Sequence, residues 1–289
     1  MTTMTLRARG RTVEFPRRPL IMGILNINDD SFSGDGRLDA GWALGRAREL
    51  VEAGADVVDV GGESARTNRG PVSEAEEWHR IRPFIENFSK TVAEASPRDA
   101  EQVFPPLLSI NTWRTNVVRQ ALEIGGDILN DMSALPDDAH ARLCAETGAA
   151  LLIMHSRGVP KVPHTHVTYE NIVAELIAFF EEKIRLATAA GLDVERILLD
   201  PGIDFAKQRD DNLRVYRELS ALGVFGRPIL LPVSRKGVIG EVLSLPEPAR
   251  RDAGTVACIV AGCLRGAALF RVHNVDAAWH ALRAMEVVR

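Results

Sequence analysis

The stretch DAGWALGRARELVEAGADVVDV, residues 39–60, contains a helix pattern, a glycine and a strand pattern in direct succession. Apolar residues recur in its first part at the spacing of an amphipathic helix, at Ala40, Leu44, Ala47 and Val51. Gly54 is expected to end this helix. The run Asp56–Val60 that follows is mostly apolar, which is typical of a parallel strand buried on both faces. The stretch therefore predicts one helix–strand unit of an α/β protein.

The same unit recurs along the rest of the chain. Short apolar runs alternate with segments of helical periodicity, and the eight predicted strands are Leu20–Ile27, Asp56–Val60, Leu107–Asn111, Ile128–Asn130, Leu151–His155, Ile197–Asp200, Ile229–Val233 and Leu269–His273. Eight such units predict a (β/α)8 TIM barrel, a single domain over residues 20–289, preceded by an N-terminal arm over residues 1–19. The alternative is an open, doubly wound sheet. That fold usually has a glycine-rich turn after its first strand, where this chain has Asn26-Ile27-Asn28-Asp29-Asp30.

Composition and charge exclude several other classes of protein. Apolar residues make up 46% of the chain and charged residues 26%, as in ordinary globular proteins with a buried core. The formal net charge of −4 offers no basic field for nucleic acid or an anionic membrane. Three cysteines are too few for a disulfide framework, and no apolar stretch is long enough for a secretory signal or a membrane span. We therefore expect a cytoplasmic enzyme that binds neither nucleic acid nor membranes.

Polar residues stand at the carboxyl end of every predicted strand, which is where the active site of a TIM barrel lies. In chain order they are Asn26, Asp59, Asn111, Asn130, His155, Asp200, Ser234, Arg235, Lys236, Arg271 and His273. The basic residues follow the last two strands, so Arg235, Lys236 and Arg271 are expected to bind an anion such as a phosphate. Asn130 and Asp200 offer hydrogen-bond partners to the edge of a polar heterocycle. These residues indicate a substrate with a hydrogen-bonding ring and a phosphate-type group.

A series of short motifs in fixed order extends this interpretation. They are Ile21–Ile27 with Asp30–Ser33, Asp59–Ser64, Asn130-Asp131, Met154-His155, Asp200–Gly202, Ser234–Lys236 and Arg271–His273. With these motifs, nearly the whole chain resembles the dihydropteroate synthase family. The resemblance implies a TIM-barrel transferase of folate biosynthesis, in which 4-aminobenzoate displaces diphosphate from the hydroxymethyl diphosphate of a dihydropterin. It also implies a homodimer formed by outer helices, where Val256, Val260 and Leu264 form an apolar stripe that core packing explains equally well.

The resemblance implies roles for individual residues as well. Asn26 would hold Mg²⁺ on the diphosphate, and Arg271 with His273 would bind this leaving group. The pterin ring would be bound by Asn130, Asp200 and Lys236. The 4-aminobenzoate pocket would be formed by Ser64, Ala65, Arg66 and Phe205. The catalytic set is therefore expected to be Asp200, Lys236, Arg271 and His273, with Asn111 and Arg235 as further substrate-binding residues.

Four sites depart from the family pattern, and three of them fall in the expected pocket. The third strand ends in Asn111 where the family has an aspartate, and Ala65 replaces a threonine after the second strand. After the sixth strand Asp204 and Ala206 replace two glycines, and the first loop has Asn28-Asp29 where Thr-Pro is usual. Asp204 either replaces the charge that Asn111 lacks or only caps its turn. Two alternatives therefore stay open, namely a paralogue that couples another amine or pterin, and a non-catalytic pterin-binding barrel.

Overall fold

Parallel strands form a barrel in the computed structural model of the chain, which describes residues 3–28, 36–64, 70–162 and 166–288. Two short strands, β1 (Met4–Ala8) and β2 (Arg11–Phe15), precede the barrel. The barrel strands are β3 (Leu20–Asn26), β4 (Val57–Gly61), β5 (Leu107–Thr112), β6 (Ile128–Asp131), β7 (Ala150–Met154), β8 (Ile197–Asp200), β9 (Leu230–Pro232) and β10 (Leu269–Val272). Each begins and ends within one residue of its predicted bounds.

The order of the strands closes the sheet on itself. Neighbours pair in the order β8-β7-β6-β5-β4-β3-β10-β9, and every pair is parallel. The ring closes between β8 and β9 through an isolated parallel bridge from Leu199 to Ile229, beside a hydrogen bond of 3.0 Å from the Leu199 amide to the Pro228 carbonyl. The TIM barrel predicted from the sequence is thus confirmed.

Alternate residues of each strand face the inside of the barrel, because successive side chains of a strand point to opposite sides. Near the amino ends these inward positions are apolar and wholly buried, as at Leu20, Met22, Val57, Leu107, Ile128, Leu152, Leu198, Leu230 and Leu269. Closer to the carboxyl ends the same face becomes polar, at Asp59, Ser109, Asn130, Asp200 and Arg271. The barrel interior is therefore packed at one end and chemically functional at the other.

Helices cover the outside of the barrel. They are α1 (Ala40–Glu52), α2 (Glu74–Val92), α3 (Thr115–Ile124), α4 (Ala139–Thr147), α5 (Ile172–Ala189), α6 (Arg209–Arg217), α7 (Gly237–Leu243), α8 (Asp252–Cys263) and α9 (Val275–Val288). Sequence periodicity misses α7, because its seven residues are too few to display a helical repeat. Within the described ranges, no helix is both long and apolar enough to cross a membrane.

The segment before the barrel forms an antiparallel hairpin of β1 and β2 that covers the amino end of the barrel. Its buried side chains pack against the inward apolar residues of the barrel strands, and they are Leu6, Ala8, Val13 and Phe15. Within the predicted N-terminal arm, residues 4–15 therefore form a hairpin that caps the barrel.

A buried ion pair lies at the same end of the barrel. The Arg18 guanidinium and the Asp56 carboxylate are 3.1 Å apart, and both side chains are wholly buried. Asp56 also accepts hydrogen bonds from the amides of Ile21 at 2.8 Å and Val103 at 2.9 Å. One carboxylate thus joins the segments before β3 and β5 to the start of β4.

Candidate active site

A cleft of about 310 Å³ opens at the carboxyl ends of the barrel strands. Nine residues expected from the sequence line it, namely Asn26, Ser64, Asn111, Asn130, Asp200, Phe205, Lys236, Arg271 and His273. They come from all sides of the barrel, so the fold converges them on one site. The other two residues of the expected aminobenzoate pocket, Ala65 and Arg66, lie outside the described residues.

Arg235 is turned away from this cleft. Its guanidinium binds the Asp252 carboxylate at the start of α8, with Nε and Nη2 at 2.7 and 3.1 Å from the two oxygens. The backbone of Arg235 is in the left-handed region, with φ of 56°, which directs its side chain differently from that of Lys236. The structure therefore places Arg235 in the support of the β9–α7 turn.

The floor of the cleft is organised around Asp59, which is wholly buried. Its carboxylate accepts hydrogen bonds from the Ser109 hydroxyl at 2.6 Å, the Asn130 amide at 3.2 and 3.3 Å, and the Asn111 amide at 3.5 Å. It also forms an ion pair with Arg271, with 2.7 Å between Oδ2 and Nε. A buried carboxylate is stable only with such partners. Asp59 therefore supplies a fixed negative charge and orients the groups around it.

The contact with Asp59 determines how Asn111 faces the cleft. Because its Nδ2 points to Asp59, its Oδ1 is the atom that can accept a hydrogen bond from a ligand. An aspartate at this position would place a second carboxylate about as close to Asp59, and like charges at that range oppose ionisation. With Asn111 the floor of the cleft holds one buried negative charge instead of two.

Asp200, at the end of β8, has an acidity suited to a functional residue. It is 4% exposed, and its Oδ1 accepts a hydrogen bond of 2.7 Å from the Gly202 amide. Burial raises the pKa of Asp200 from 3.8 to about 6, although the Gly202 amide and the Lys236 ammonium oppose this shift. Carboxyl groups with near-neutral pKa values in a cleft are typical of active sites.

Lys236 and Phe205 form the adjoining wall. The Lys236 ammonium donates a hydrogen bond of 2.8 Å to the Ile203 carbonyl and lies 4.9 Å from the centroid of the Phe205 ring. Burial lowers the pKa of Lys236, and the nearby acids Asp204 and Asp200 oppose this effect. The wall thus presents a cation and an aromatic face beside the Asp200 carboxyl.

A second lysine supports this wall from below. Lys207 is buried, and its Nζ lies 2.7 Å from His155 Nδ1 and donates hydrogen bonds to the carbonyls of Gly202 at 3.0 Å and Phe205 at 3.1 Å. Burial lowers the pKa of Lys207 from 10.5 to about 7 and, together with the charge on Lys207, lowers the pKa of His155 from 6.5 to about 2. His155 is therefore a neutral acceptor that holds the loop after β8.

His273 is oriented by the hydroxyl of Ser234. Ser234 Oγ accepts a hydrogen bond of 3.0 Å from the His273 amide and lies 2.8 Å from Nδ1 of its ring. The hydroxyl can donate its own hydrogen to Nδ1 while it accepts from the amide. In that arrangement the ring hydrogen lies on Nε2, from which it can be donated to an anion.

The loop after β4 is anchored by buried charges. Glu63 forms ion pairs with Arg114 at 2.6 Å and Lys161 at 3.3 Å, and it accepts a hydrogen bond of 3.0 Å from the Val72 amide. Lys161 also donates a hydrogen bond of 2.9 Å to the Ser64 carbonyl. Both flanks of the segment expected to bind aminobenzoate are therefore held in place.

Two residues that support the cleft, Asp59 and Lys207, receive no individual role from the sequence, although Asp59 is among the polar residues expected at the strand ends. For Asp59 the available signal is an acid within the otherwise apolar strand Val57–Gly61, where its burial requires partners. Those partners come from β5, β6 and β10, so no local pattern identifies them. Lys207 follows the recognised Asp200–Gly202 motif closely, but its burial becomes apparent only in the folded chain.

The donor groups of the cleft limit the kind of metal that it can hold. Over the described ranges, the side chains of His, Cys, Asp and Glu form no cluster of three or more suited to a metal ion. Asn26, at the end of β3, lines the cleft and provides a carboxamide oxygen. Mg²⁺ prefers oxygen ligands, keeps several waters and is often shared with substrate phosphates. The residues therefore fit a Mg²⁺ ion that arrives with a phosphate-containing substrate.

Comparison with known proteins matches the whole barrel to one family. The model of the pterin binding enzyme family matches residues 22–273. The dihydropteroate synthase of Neisseria meningitidis serogroup C is 37% identical over 276 residues, which cover 94% of this chain and 93% of that protein. The Yersinia pestis dihydropteroate synthase, solved with a sulfonamide drug, gives a TM-score of 0.88 at 34% identity, with 99% of each chain covered. The Thermus thermophilus enzyme, 33% identical, gives TM-scores of 0.81 in complex with 6HMPPP and 0.84 in complex with 4-aminobenzoate, with 99% of this chain and 100% of that chain covered.

Proposed function

The chain belongs to the family of pterin-binding enzymes, and we propose that it is a dihydropteroate synthase, a transferase of folate biosynthesis. It joins 4-aminobenzoate to a hydroxymethyl-dihydropterin diphosphate and releases diphosphate. The observation that carries this proposal is the cleft in which Asn130 and Asp200 lie together with the cations of Lys236 and Arg271. A ring-binding edge and an anion-binding clamp in one cleft match the two parts of that substrate.

The reaction forms a bond between the amine nitrogen and the pterin methylene carbon, breaks the bond from that carbon to diphosphate, and releases a proton from the nitrogen. Positive charge spreads into the ring and negative charge onto the leaving group. We assign the stabilisation of the ring to Asp200 and Asp59, because fixed acids beside a developing cation lower its energy. We assign the leaving group to Arg271 and to the Nε2 hydrogen of His273. Lys236 binds the ring with Asn130.

Amine-dependent release of diphosphate tests this function. The wild-type protein is mixed with 6-hydroxymethyl-7,8-dihydropterin diphosphate, and diphosphate is measured with and without 4-aminobenzoate, with Lys236→Ala as the impaired control. Release that requires 4-aminobenzoate supports the proposal. Release with another arylamine alone identifies the paralogue, and tight pterin binding without release identifies a non-catalytic barrel.

Mg²⁺ is the cofactor that we propose, held by the diphosphate and by Asn26. When bound it neutralises charge on the diphosphate oxygens. We expect diphosphate release to require added Mg²⁺ after chelator treatment, and calorimetry to show tighter binding of inorganic diphosphate when Mg²⁺ is present. The purified protein should contain little metal, because Asn26 is a single neutral ligand. Stoichiometric zinc, with a rate that ignores added Mg²⁺, would contradict the assignment.

The raised pKa of Asp200 predicts an acid limb in the pH profile. As the pH falls through about 6, the Asp200 carboxyl takes up a proton and loses the charge that stabilises the ring. We expect kcat/KM for the pterin diphosphate to fall about tenfold per pH unit below this value. Asp200→Asn should lower the plateau of kcat/KM and abolish the acid limb. The substrate phosphate also has a pKa of about 6, but a limb caused by its titration would remain in this variant. A limb that persists unchanged in Asp200→Asn would exclude Asp200 as its origin.

A homodimer is the assembly that we propose. A groove of about 350 Å³ lined mainly by apolar residues runs between α6, α7 and α8 and includes Val242 and Leu243, which are 49% and 45% exposed. Leu264, at the end of α8, is 58% exposed. Exposed apolar patches of this kind commonly mark interfaces. Light scattering should give twice the chain mass for the wild type, and Leu264→Arg should shift it toward the monomer.

A further inference from the structure

The loop after β8 enters the left-handed backbone region three times within five residues. The φ angles are 66° at Gly202, 68° at Asp204 and 48° at Ala206. Glycine adopts this region freely, whereas a residue with a Cβ atom does so at a cost in free energy. At positions 204 and 206, where the family pattern has glycine, this chain adopts the same left-handed region with side chains, and at position 204 the side chain is a carboxylate. The contacts of this carboxylate must offset the cost of its left-handed backbone.

Asp204 joins three elements that surround the cleft. Its Oδ2 accepts a hydrogen bond of 2.5 Å from the Gly237 amide, and its Oδ1 accepts one of 3.3 Å from the Val238 amide, in the first turn of α7. Its own amide donates a hydrogen bond of 2.8 Å to Oδ1 of Asn212, a buried residue of α6. The exposed carboxylate thus caps the first turn of α7 and not its own turn, and it also lines the cleft.

The backbone and the ammonium group of Lys236 both lie next to contacts made by Asp204 or by its two neighbours in the chain. Its backbone leads directly into the two amides that Asp204 binds. Its ammonium donates to the carbonyl of Ile203 and lies against the ring of Phe205, the two residues on either side of Asp204. Both ends of Lys236 therefore depend on the position of this loop.

The charges around Lys236 give Asp204 an electrostatic effect as well. Among the described residues, the charged groups that interact with Lys236 are Asp204 from the loop, Asp200 from β8, Arg271 from β10 and Lys207, which follows the loop. Burial and Arg271 lower the pKa of Lys236, while the two acids raise it, Asp204 more than Asp200. Removal of the Asp204 charge should therefore let Lys236 lose its proton at lower pH.

We propose that Asp204 is a positioning residue of this enzyme, whose carboxylate latches the loop after β8 to the start of α7 and so holds Lys236 and Phe205 against the bound pterin. This inference rests on the proposed function, in which Lys236 binds the pterin ring. The family pattern has glycine at this position, so the latch is a feature of this chain.

Two substitutions separate the geometric effect of the latch from its charge. Asp204→Gly removes both, and we expect the KM for the pterin diphosphate to rise about tenfold, as for the loss of one charged hydrogen bond, with a smaller change in kcat. Asp204→Asn keeps an acceptor for the Gly237 amide, so its KM should stay within about threefold of the wild type. Loss of the Lys236 proton should give kcat/KM an alkaline limb, and in both variants this limb should move to lower pH. A matched control is Asp210→Asn, which removes an exposed acid from α6 and should leave the KM and the limb unchanged.

Calorimetric titration with 6-hydroxymethyl-7,8-dihydropterin diphosphate distinguishes the possible failures. If the wild type binds it and Asp204→Gly binds it more weakly, the latch is supported. If both bind equally and the alkaline limb stays in place, Asp204 only stabilises its turn and the proposal is wrong, whatever the change in melting temperature. If the wild type does not bind it, the proposed function fails, and the latch fails with it.

Discussion

Replacing Arg271 with alanine should lower kcat/KM by about 30-fold to 5000-fold, which corresponds to about 2–5 kcal/mol for the loss of one member of a buried charge pair. Two effects combine in this variant. The diphosphate loses a cationic ligand, and the buried carboxylate of Asp59 loses the guanidinium that lies 2.7 Å away. Steady-state kinetics measure the first effect, and urea unfolding measures the second as a lower free energy of unfolding.

Two other arginine variants test this explanation. Arg271→Lys keeps the positive charge but not the planar fork, so it should preserve more stability than activity. Arg235→Ala removes an arginine that binds Asp252 outside the cleft, and it should alter the KM for the pterin diphosphate by less than about threefold. The assignment is wrong if Arg235→Ala is as damaging as Arg271→Ala, or if Arg271→Ala retains nearly full activity.

Replacing Asp56 with alanine should lower the free energy of unfolding by about 3–5 kcal/mol, because it leaves the Arg18 charge buried without its partner. The amides of Ile21 and Val103 lose their acceptor at the same time. Urea denaturation followed by far-ultraviolet circular dichroism measures this change.

The position of Asp56 supplies the control for this stability prediction. Asp56→Asn keeps one acceptor oxygen and should lose less stability than Asp56→Ala. Because Asp56 directly precedes β4 at the end of the barrel opposite the cleft, the folded fraction of either variant should keep the wild-type KM. A loss below about 1 kcal/mol in Asp56→Ala would mean that the pair contributes no more than an exposed ion pair.

The barrel could be predicted from the sequence because its evidence is local. A buried parallel strand is a short apolar run, and the glycine or polar residue at each end marks its limits, as in Val57–Gly61. The helix α7 could not be predicted in this way, because its seven residues are too few to display a helical repeat. The carboxylate that caps its first amides, Asp204, is also distant in the sequence. The periodicity of apolar residues reports on one segment alone and carries no information about its contacts with distant segments.

The candidate site could be predicted only as far as strand ends indicate it. The rule that TIM barrels carry their chemistry at the carboxyl ends places Lys236 and Arg271 near one another, and the cleft brings them together. The same rule treats Arg235 as equivalent to Lys236, although its left-handed backbone turns it toward Asp252. The direction of the Asn111 amide likewise depends on Asp59, which belongs to another strand. The orientation of these side chains depends on contacts that form only when the barrel is assembled.

Because an isolated bridge joins β8 to β9, we expect ligand binding in the cleft to reduce local opening of the barrel at this place. Amides beside a sparse ladder open most readily and exchange fastest with solvent deuterium. Asp200 ends β8 on one side of this seam, and Lys236 follows β9 on the other. If both side chains bind the pterin as proposed, the ligand connects β8 to β9. Deuterium uptake in residues 197–200 and 229–232 should then slow on binding, while the paired strands β3 and β4 change little. The bound substrate would then stabilise the pairing of β8 with β9, and its release would restore the faster exchange.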